Sequence, residues 1–547
     1  MRATTAGVVG AALLASTAFG LAPLAQAAPA PTVVTAATAQ AAAASSTFRF
    51  VDIPGSGGIT LKGNVFTPGG YDGSQRYPVV VLPSSWAIND LEYIAQAKQL
   101  ADSGYVVVSY TSRGFWLSGG QIETAGPPDV ADVSKVIDWT LANTPADPAH
   151  IGMAGVSYGA GIGLLGAAHD PRIKAVVALS GWADLIDSIY QGRTPHLQAA
   201  ALLGGAGYLT GRPSPELQKI LGNFLTANLA AEDEMIAWGK LRSPVTYLDQ
   251  LNANGTAVML ANAWGDSLFP PNQYAKFYEK LTGPKRLEFR PGDHATAEAT
   301  GLLGLPNDTW ASSKRWLDHY LKGVDNGIDH EQPVQLKSRS TGAYESYDSW
   351  SAVPSRTTTL KLGAKGLRTG ELGGDAGSGW RTTIGTNVDS GADGGIIFLS
   401  SLLDQFAQAP PVASIPLLPR AFATVWQSAA YGTAQHVRGT STLHTTLTPS
   451  AADGTVIAYL YDVDSLGIGK LVTHAPYTWV GRTPGKAFTT DIDLLSTAYD
   501  VPAGHRLALV VDTVDPLYIE QNPLFSTVTV SSPASDPSWL SVPLHDQ

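Results

Sequence analysis

The spacing of apolar residues changes twice along this chain, and each change marks a different kind of element. From 47 to 66 they alternate with polar ones, Phe48, Phe50 and Ile53 and then Ile59, Leu61 and Val65. Gly55-Ser56-Gly57-Gly58 lies between the two halves, which predicts an entry hairpin. Unbroken apolar runs follow at 77–82, 105–110, 151–156, 173–179, 257–261 and 287–289. Such runs suit strands buried on both faces. Helical spacing separates several of them, with Leu91, Ile94, Ala95 and Leu100 on 90–103 and Val133, Val136, Ile137 and Leu141 on 129–142. Strand alternating with helix predicts a doubly wound α/β sheet.

The interval 185–251 breaks that alternation, offering helix candidates at 199–209, 215–229 and 232–241. An insertion of this kind between two strands is expected to cap the carboxyl edge of the sheet, where ligands bind. The helix at 310–322 closes the α/β part, stopped by Gly323. Beyond 332, short alternating segments at 357–362, 441–447, 456–461, 488–494 and 506–511 are punctuated by Gly, Pro, Asp and Ser. They predict an all-β sandwich or jelly roll. The expected organisation is a catalytic α/β domain at 47–184 and 252–331, a helical cap at 185–251 and a β domain at 332–547.

Composition sharpens this picture at three points. A length of 547 residues exceeds one typical core, and a net charge of −11 without a Lys/Arg run argues against a nucleic-acid partner. Arg2, an apolar stretch at 6–24 and Ala25-Gln26-Ala27 form the pattern of a signal peptide, residues 1–27. Export, a flexible leader at 28–46 and no membrane span after cleavage are expected from it. The chain has no cysteine, which excludes disulfides, thiol catalysis and cysteine-bound metals.

The candidate chemistry centres on Gly155-Val156-Ser157-Tyr158-Gly159, a G-x-S-x-G element between an apolar run and a small-residue helical stretch. That is the strand–turn–helix context of a nucleophile elbow. Glycines flank the serine at both sides because strand and helix backbones approach closely there, and a Cβ would collide. A serine nucleophile needs an imidazole to take its proton and a carboxylate to orient the ring. In this fold they follow in the order Ser, Asp/Glu, His, on loops after later strands. Asp266 ends the run 257–261 through Asn262-Ala263-Trp264-Gly265, and His294 lies in the loop after 287–289. Asp184 also follows a strand but comes one strand too early, and Asp293 reads as a turn former beside the histidine. One oxyanion donor should be the Tyr158 backbone N–H, and Pro83-Ser84-Ser85-Trp86 should supply the second. Asp462 to Gly467 imitates the start of a calcium loop, but position twelve would be Thr473, so a hairpin turn is expected. No phosphate-binding Gly-rich loop occurs, and no cofactor is expected.

Several further stretches resemble the X-prolyl dipeptidyl-peptidases and cocaine-esterase-like acyl esterases. They include Arg113-Gly114, Ser118-Gly119-Gly120, Asp138-Trp139, Ser180-Gly181-Trp182-Ala183-Asp184, Trp264-Gly265-Asp266 and Trp316-Leu317-Asp318-His319-Tyr320-Leu321-Lys322-Gly323. In the β region, Tyr459-Leu460-Tyr461-Asp462-Val463 and Ala503-Gly504-His505-Arg506-Leu507 are similar to that family's jelly roll. The resemblance implies an α/β-hydrolase with a helical cap and a C-terminal jelly roll, and a triad on Ser157, Asp266 and His294. Family members usually carry Pro-Tyr after the first parallel strand, the tyrosine hydroxyl being an oxyanion donor. Ser85-Trp86 stands there instead, so the Trp86 indole N–H is the expected donor. Phe115, Trp116 and Trp182 are expected to line an apolar substrate pocket. Carboxylic esters are the expected substrates. Xaa-Pro peptides, acyl transfer and a non-catalytic wall- or glycan-binding role are the alternatives; Glu232, Asp233 and Glu234 are candidates to hold a peptide ammonium, although a solvated acidic helix start is the favoured reading of them.

Overall fold

The valine-rich runs of the N-terminal part become parallel strands because both faces of each are covered. Val79 and Val81 point into one apolar layer and Val80 and Leu82 into the other. This computed structural model describes residues 45–366 and 368–546, so the expected signal peptide and nearly all of the leader lie outside the described residues. Among the described residues the α/β sheet has ten strands. They are β1 (Thr47–Pro54), β2 (Thr60–Thr67), β3 (Tyr77–Pro83), β4 (Val106–Tyr110), β5 (Ala146–Val156), β6 (Ile173–Leu179), β7 (Ala257–Ala263), β8 (Lys285–Arg290), β9 (Val334–Lys337) and β10 (Tyr344–Tyr347). Their order is β1-β2-β4-β3-β5-β6-β7-β8-β9-β10. The interior pairs from β4 to β9 are parallel, and the hairpin strands at the two ends are antiparallel.

Helices Pro127–Asn143 and Tyr158–His169 belong to one covering layer, and Ile94–Asp102 and Asp308–Lys322 to the other. Gly323 ends the last of these at φ 66°, the left-handed cap expected of it. Two boundaries differ from the sequence expectation. The sheet does not stop before 332, because β9 pairs with β8 and β10 with β9. Leu248–Asn254 leaves the cap for the hydrolase layer, where the Asn254 amide donates to the Ala167 carbonyl at 2.8 Å. The cap proper consists of Leu185–Ile189, Leu197–Thr210, Pro215–Leu225 and Glu232–Lys240 with their connections.

The C-terminal region is all-β apart from Leu399–Ala407 and short single turns. Its longest pairing joins Gly454–Val463 to Ile468–Trp479, and the stretch from Asp462 to Gly467 ends the first strand and makes that hairpin's turn at 464–467. This region also reaches the catalytic edge. The Asn272 side chain, at the start of helix Pro271–Lys280, donates to the Leu494 carbonyl at 2.9 Å and accepts from the Ser496 N–H at 2.5 Å.

Candidate active site

Ser157 sits where β5 turns into helix Tyr158–His169, at φ 57° and ψ −116°. A non-glycine residue held there stores strain, which is how an elbow lifts its hydroxyl above the sheet. The flanking glycines are required sterically. A Cβ on Gly155 would lie 2.5 Å from the Gly159 carbonyl carbon, and one on Gly159 would lie 2.2 Å from the Pro83 oxygen.

β7 and β8 bring the other two groups to the same edge. His294 Nε2 is 2.8 Å from Ser157 Oγ, and His294 Nδ1 lies 3.1 Å and 3.2 Å from the two Asp266 oxygens. Asp266 Oδ1 also accepts the Leu268 and Phe269 backbone N–H groups, at 3.0 and 2.8 Å, which fixes the carboxylate. All three residues are buried. With the Nδ1 proton given to Asp266, Nε2 is left as an acceptor for the serine hydroxyl. Burial alone would lower the His294 pKa, but the Asp266 charge and hydrogen bond outweigh it and the net shift is upward. Asp293 accepts from Ser267 and from the His294 backbone N–H, so it shapes the turn and leaves the ring to Asp266. Asp184 caps helix Leu185–Ile189.

The remaining expectations divide. The Tyr158 N–H opens its helix, where no intrahelical acceptor exists. The Trp86 indole is a correction, since its N–H donates to the Leu203 carbonyl of the cap at 2.8 Å. Trp86 therefore contributes its ring to the substrate cavity, and the indole is not free for an oxyanion. Trp182 lines that cavity as well, its ring 5.2 Å from Phe269 and its N–H bonded to the Arg242 carbonyl. Phe115 and Trp116 are corrected. Phe115 is packed edge-on behind Trp86 at 4.9 Å, and Trp116 is half exposed with its N–H on the Ala87 carbonyl. Neither lines the cavity.

The cavity at Ser157 holds about 900 Å³ of empty space, part of it open to solvent, beneath the cap helices. Its wall is built from Trp86, Trp182, Leu203, Ile220, Phe224 and Phe269 with further, mostly apolar side chains, and among the described residues no acidic, basic or histidine side chain lines it. Two acids near the triad, Glu298 buried and Glu92 partly buried, escaped the sequence reading. Glu298 receives the Ser180 hydroxyl at 3.1 Å on both oxygens, and burial pushes its carboxyl up to about 7. Glu92, in the turn Asp90–Tyr93, accepts from the backbone and hydroxyl of Ser85, and burial pushes it up to about 7 as well. Their sequence context gave no cue, because each is desolvated only through partners on other strands.

Comparison with known proteins agrees with this architecture. The X-Pro dipeptidyl-peptidase (S15 family) profile matches residues 57–296, and that of the X-Pro dipeptidyl-peptidase C-terminal non-catalytic domain matches 326–540. The chain is 25% identical over 269 residues to the polyketide transferase claH of Penicillium crustosum, covering 43% of this chain and 86% of that protein. It is 24% identical over 289 residues to a Bacillus cereus protein named "Putative Xaa-Pro dipeptidyl-peptidase", covering 46% of each, so the match spans under half of that relative's length. A CocE/NonD family hydrolase from Staphylococcus aureus superimposes with a TM-score of 0.69 at 14% identity, over 91% of this chain and 94% of that one, a likeness of fold. Catalytic and C-terminal profiles in tandem, on an α/β sheet followed by an all-β region, make this chain a serine hydrolase belonging to the X-Pro dipeptidyl-peptidase family.

Proposed function

We propose that this protein hydrolyses uncharged carboxylic esters with an apolar acyl or alcohol part, by a Ser157–His294–Asp266 triad, and that it does so after export. The observation that carries this reading is a serine hydroxyl 2.8 Å from an imidazole, opening on a cavity with no charged side chain among the described residues of its wall. An apolar ester is bound there by burial alone, at about 25 cal/mol per Å² of apolar surface. Ser157 Oγ attacks the carbonyl carbon while His294 takes its proton, and Asp266 stabilises the imidazolium. The tetrahedral oxyanion rests on the Tyr158 N–H and on a backbone N–H of the loop after β3, that of Trp86, in place of the indole. The C–O bond then breaks, and the alcohol leaves with the proton from His294. Water attacks the acyl-enzyme, its proton passing through His294 back to Ser157, and the acid is released.

The family's own chemistry is the second reading, and it needs a receptor for a free ammonium. The cap acids do not fit that role. Glu232 is bonded to the Arg193 guanidinium at 2.8 Å and to the Tyr190 hydroxyl, Glu234 pairs with Lys219, and none of Glu232, Asp233 and Glu234 lines the cavity. Assaying the mature protein on nitrophenyl esters beside an Xaa-Pro anilide decides between the two. Ester turnover abolished by Ser157→Ala is expected, whereas turnover of the anilide alone would overturn the ester reading. Recovery of the protein only inside the cell, with residues 1–27 still attached, would remove export from it.

A further inference from the structure

We infer that Glu92 is a positioning residue for the second oxyanion donor, bracing the loop after β3 against the strand end that carries Ser157. This rests on the triad reading above and deepens it. In that loop Pro83 has no N–H, the Ser84 N–H donates to the Tyr110 carbonyl at 3.0 Å, and the Ser85 N–H donates to Glu92 Oε2 at 2.7 Å. The Trp86 indole is held by Leu203. The backbone N–H groups of Trp86 and Ala87 are the first in the loop without a protein partner among the described residues. Trp86 is the nearer of the two along the chain to Pro83, against whose carbonyl Gly159 of the elbow is packed.

Glu92 fixes this arrangement from below. Its other oxygen is 2.5 Å from the Ser85 hydroxyl, which also lies 2.9 Å from the Val156 carbonyl, the one that precedes Ser157. The neighbouring Tyr93 hydroxyl accepts the Val156 N–H at 2.9 Å. The Val156 N–H is thus held by the residue next to Glu92, and its carbonyl lies against the Ser85 hydroxyl, whose one proton goes to Glu92 while that is a carboxylate, so the two halves of the oxyanion hole are packed as one body. A carboxylate accepting two hydrogen bonds is needed for this, and a protonated carboxyl can accept fewer. Burial pushes Glu92 up to about 7, opposed by the Ser85 bonds and by the charge of His294. The titratable groups facing it are His294 and Tyr93, whose phenol burial keeps neutral.

Glu92→Ala, Glu92→Gln and Ser157→Ala should be assayed on a nitrophenyl ester across pH 5–9, with melting temperatures to establish folding. In Glu92→Ala kcat should fall by roughly 10²-fold with KM within about twofold, since a misplaced donor acts on the transition state. Glu92→Gln, which like the protonated acid offers one acceptor oxygen, should also lose kcat at neutral pH, by about tenfold or more. In the parent protein both Glu92 and His294 must lose a proton, so the acid limb of log kcat/KM should approach a slope of two. In Glu92→Gln that slope should be one. An unchanged kcat in Glu92→Ala, or a Gln variant with the parent's slope, overturns the brace. Where the alanine variant fails to fold, the glutamine slope decides. Turnover surviving in Ser157→Ala would instead overturn the triad, which separates the two failures.

Discussion

An indole N–H serves one acceptor at a time, and that of Trp86 is given to the Leu203 carbonyl of the cap. What remains for catalysis at this position is the backbone, which a side-chain change leaves intact. Trp86→Phe should therefore keep kcat within about tenfold, although deleting a true oxyanion donor costs 10²–10³-fold. The same variant removes one hydrogen bond to the Leu203 carbonyl, which keeps its place within helix Leu197–Thr210, and should lower the melting temperature, at a cost of about 0.5–1.5 kcal/mol. A kcat loss of the larger size, on an ester that does not reach the cap, would return the role to the indole. The aromatic ring is kept in this substitution so that packing on Phe115 and Tyr158, at 4.9 and 5.3 Å, is disturbed as little as possible.

Among the elements, helix Leu197–Thr210 sets how much room the cavity has. Ala200, Leu203, Gly204 and Gly207 fall at i, i+3, i+4 and i+7, so one helical face lines the cavity with mostly small side chains. Filling that face should exclude long acyl chains before short ones. For Ala200→Phe the ratio of kcat/KM for a decanoyl over an acetyl nitrophenyl ester should fall by about tenfold or more. An unchanged ratio would mean that the acyl chain lies elsewhere. This helix was legible as a helix from its composition, but the use of its face was not, because that depends on Trp86 and Trp182 arriving from other strands. The parallel strands were legible for the opposite reason. Burial on both faces leaves an apolar run that any reading detects. The strand pair β9–β10 was missed, since Val334–Lys337 and Tyr344–Tyr347 are four residues each and half polar, too short for a period to show. Helix Leu399–Ala407 was missed too, although Leu399, Leu402, Leu403 and Phe406 carried its spacing. It lies against the catalytic loops, where Ser401 Oγ donates to the Gly265 carbonyl at 3.1 Å and the Phe398 ring just before it is 6.2 Å from that of His294.

Across the whole molecule, the cap and the β region meet at Tyr518, between two buried histidines. The His196 ring lies edge-on to it at 5.1 Å, and His474 Nε2 is 3.0 Å from its hydroxyl. His196 Nδ1 accepts the Ala199 N–H at 3.2 Å, which caps helix Leu197–Thr210 and requires the ring to be neutral with its proton on Nε2. Burial lowers the pKa of His196 to about 4; burial, together with the charges of His196 and Arg339, lowers that of His474 to about 3. Both folded values lie below the ordinary value near 6.5, so between pH 6.5 and 4 the unfolded chain takes up protons that the folded chain refuses. Their contribution is complete above 6.5 and is lost as pH falls, at up to about 1.4 kcal/mol per pH unit for each histidine. Glu92 and Glu298, raised by desolvation to about 7, act with the opposite sign, their contribution being lost as pH rises from about 4.5 toward 7. Those acids are common to parent and variant, so they cancel in a difference. His474→Phe keeps a ring beside Tyr459 while removing the titration, and its melting temperature should fall less steeply than the parent's from pH 6.5 to 4. Parallel curves would show that His474 does not stay neutral at the junction, and that the acid sensitivity of this fold arises elsewhere.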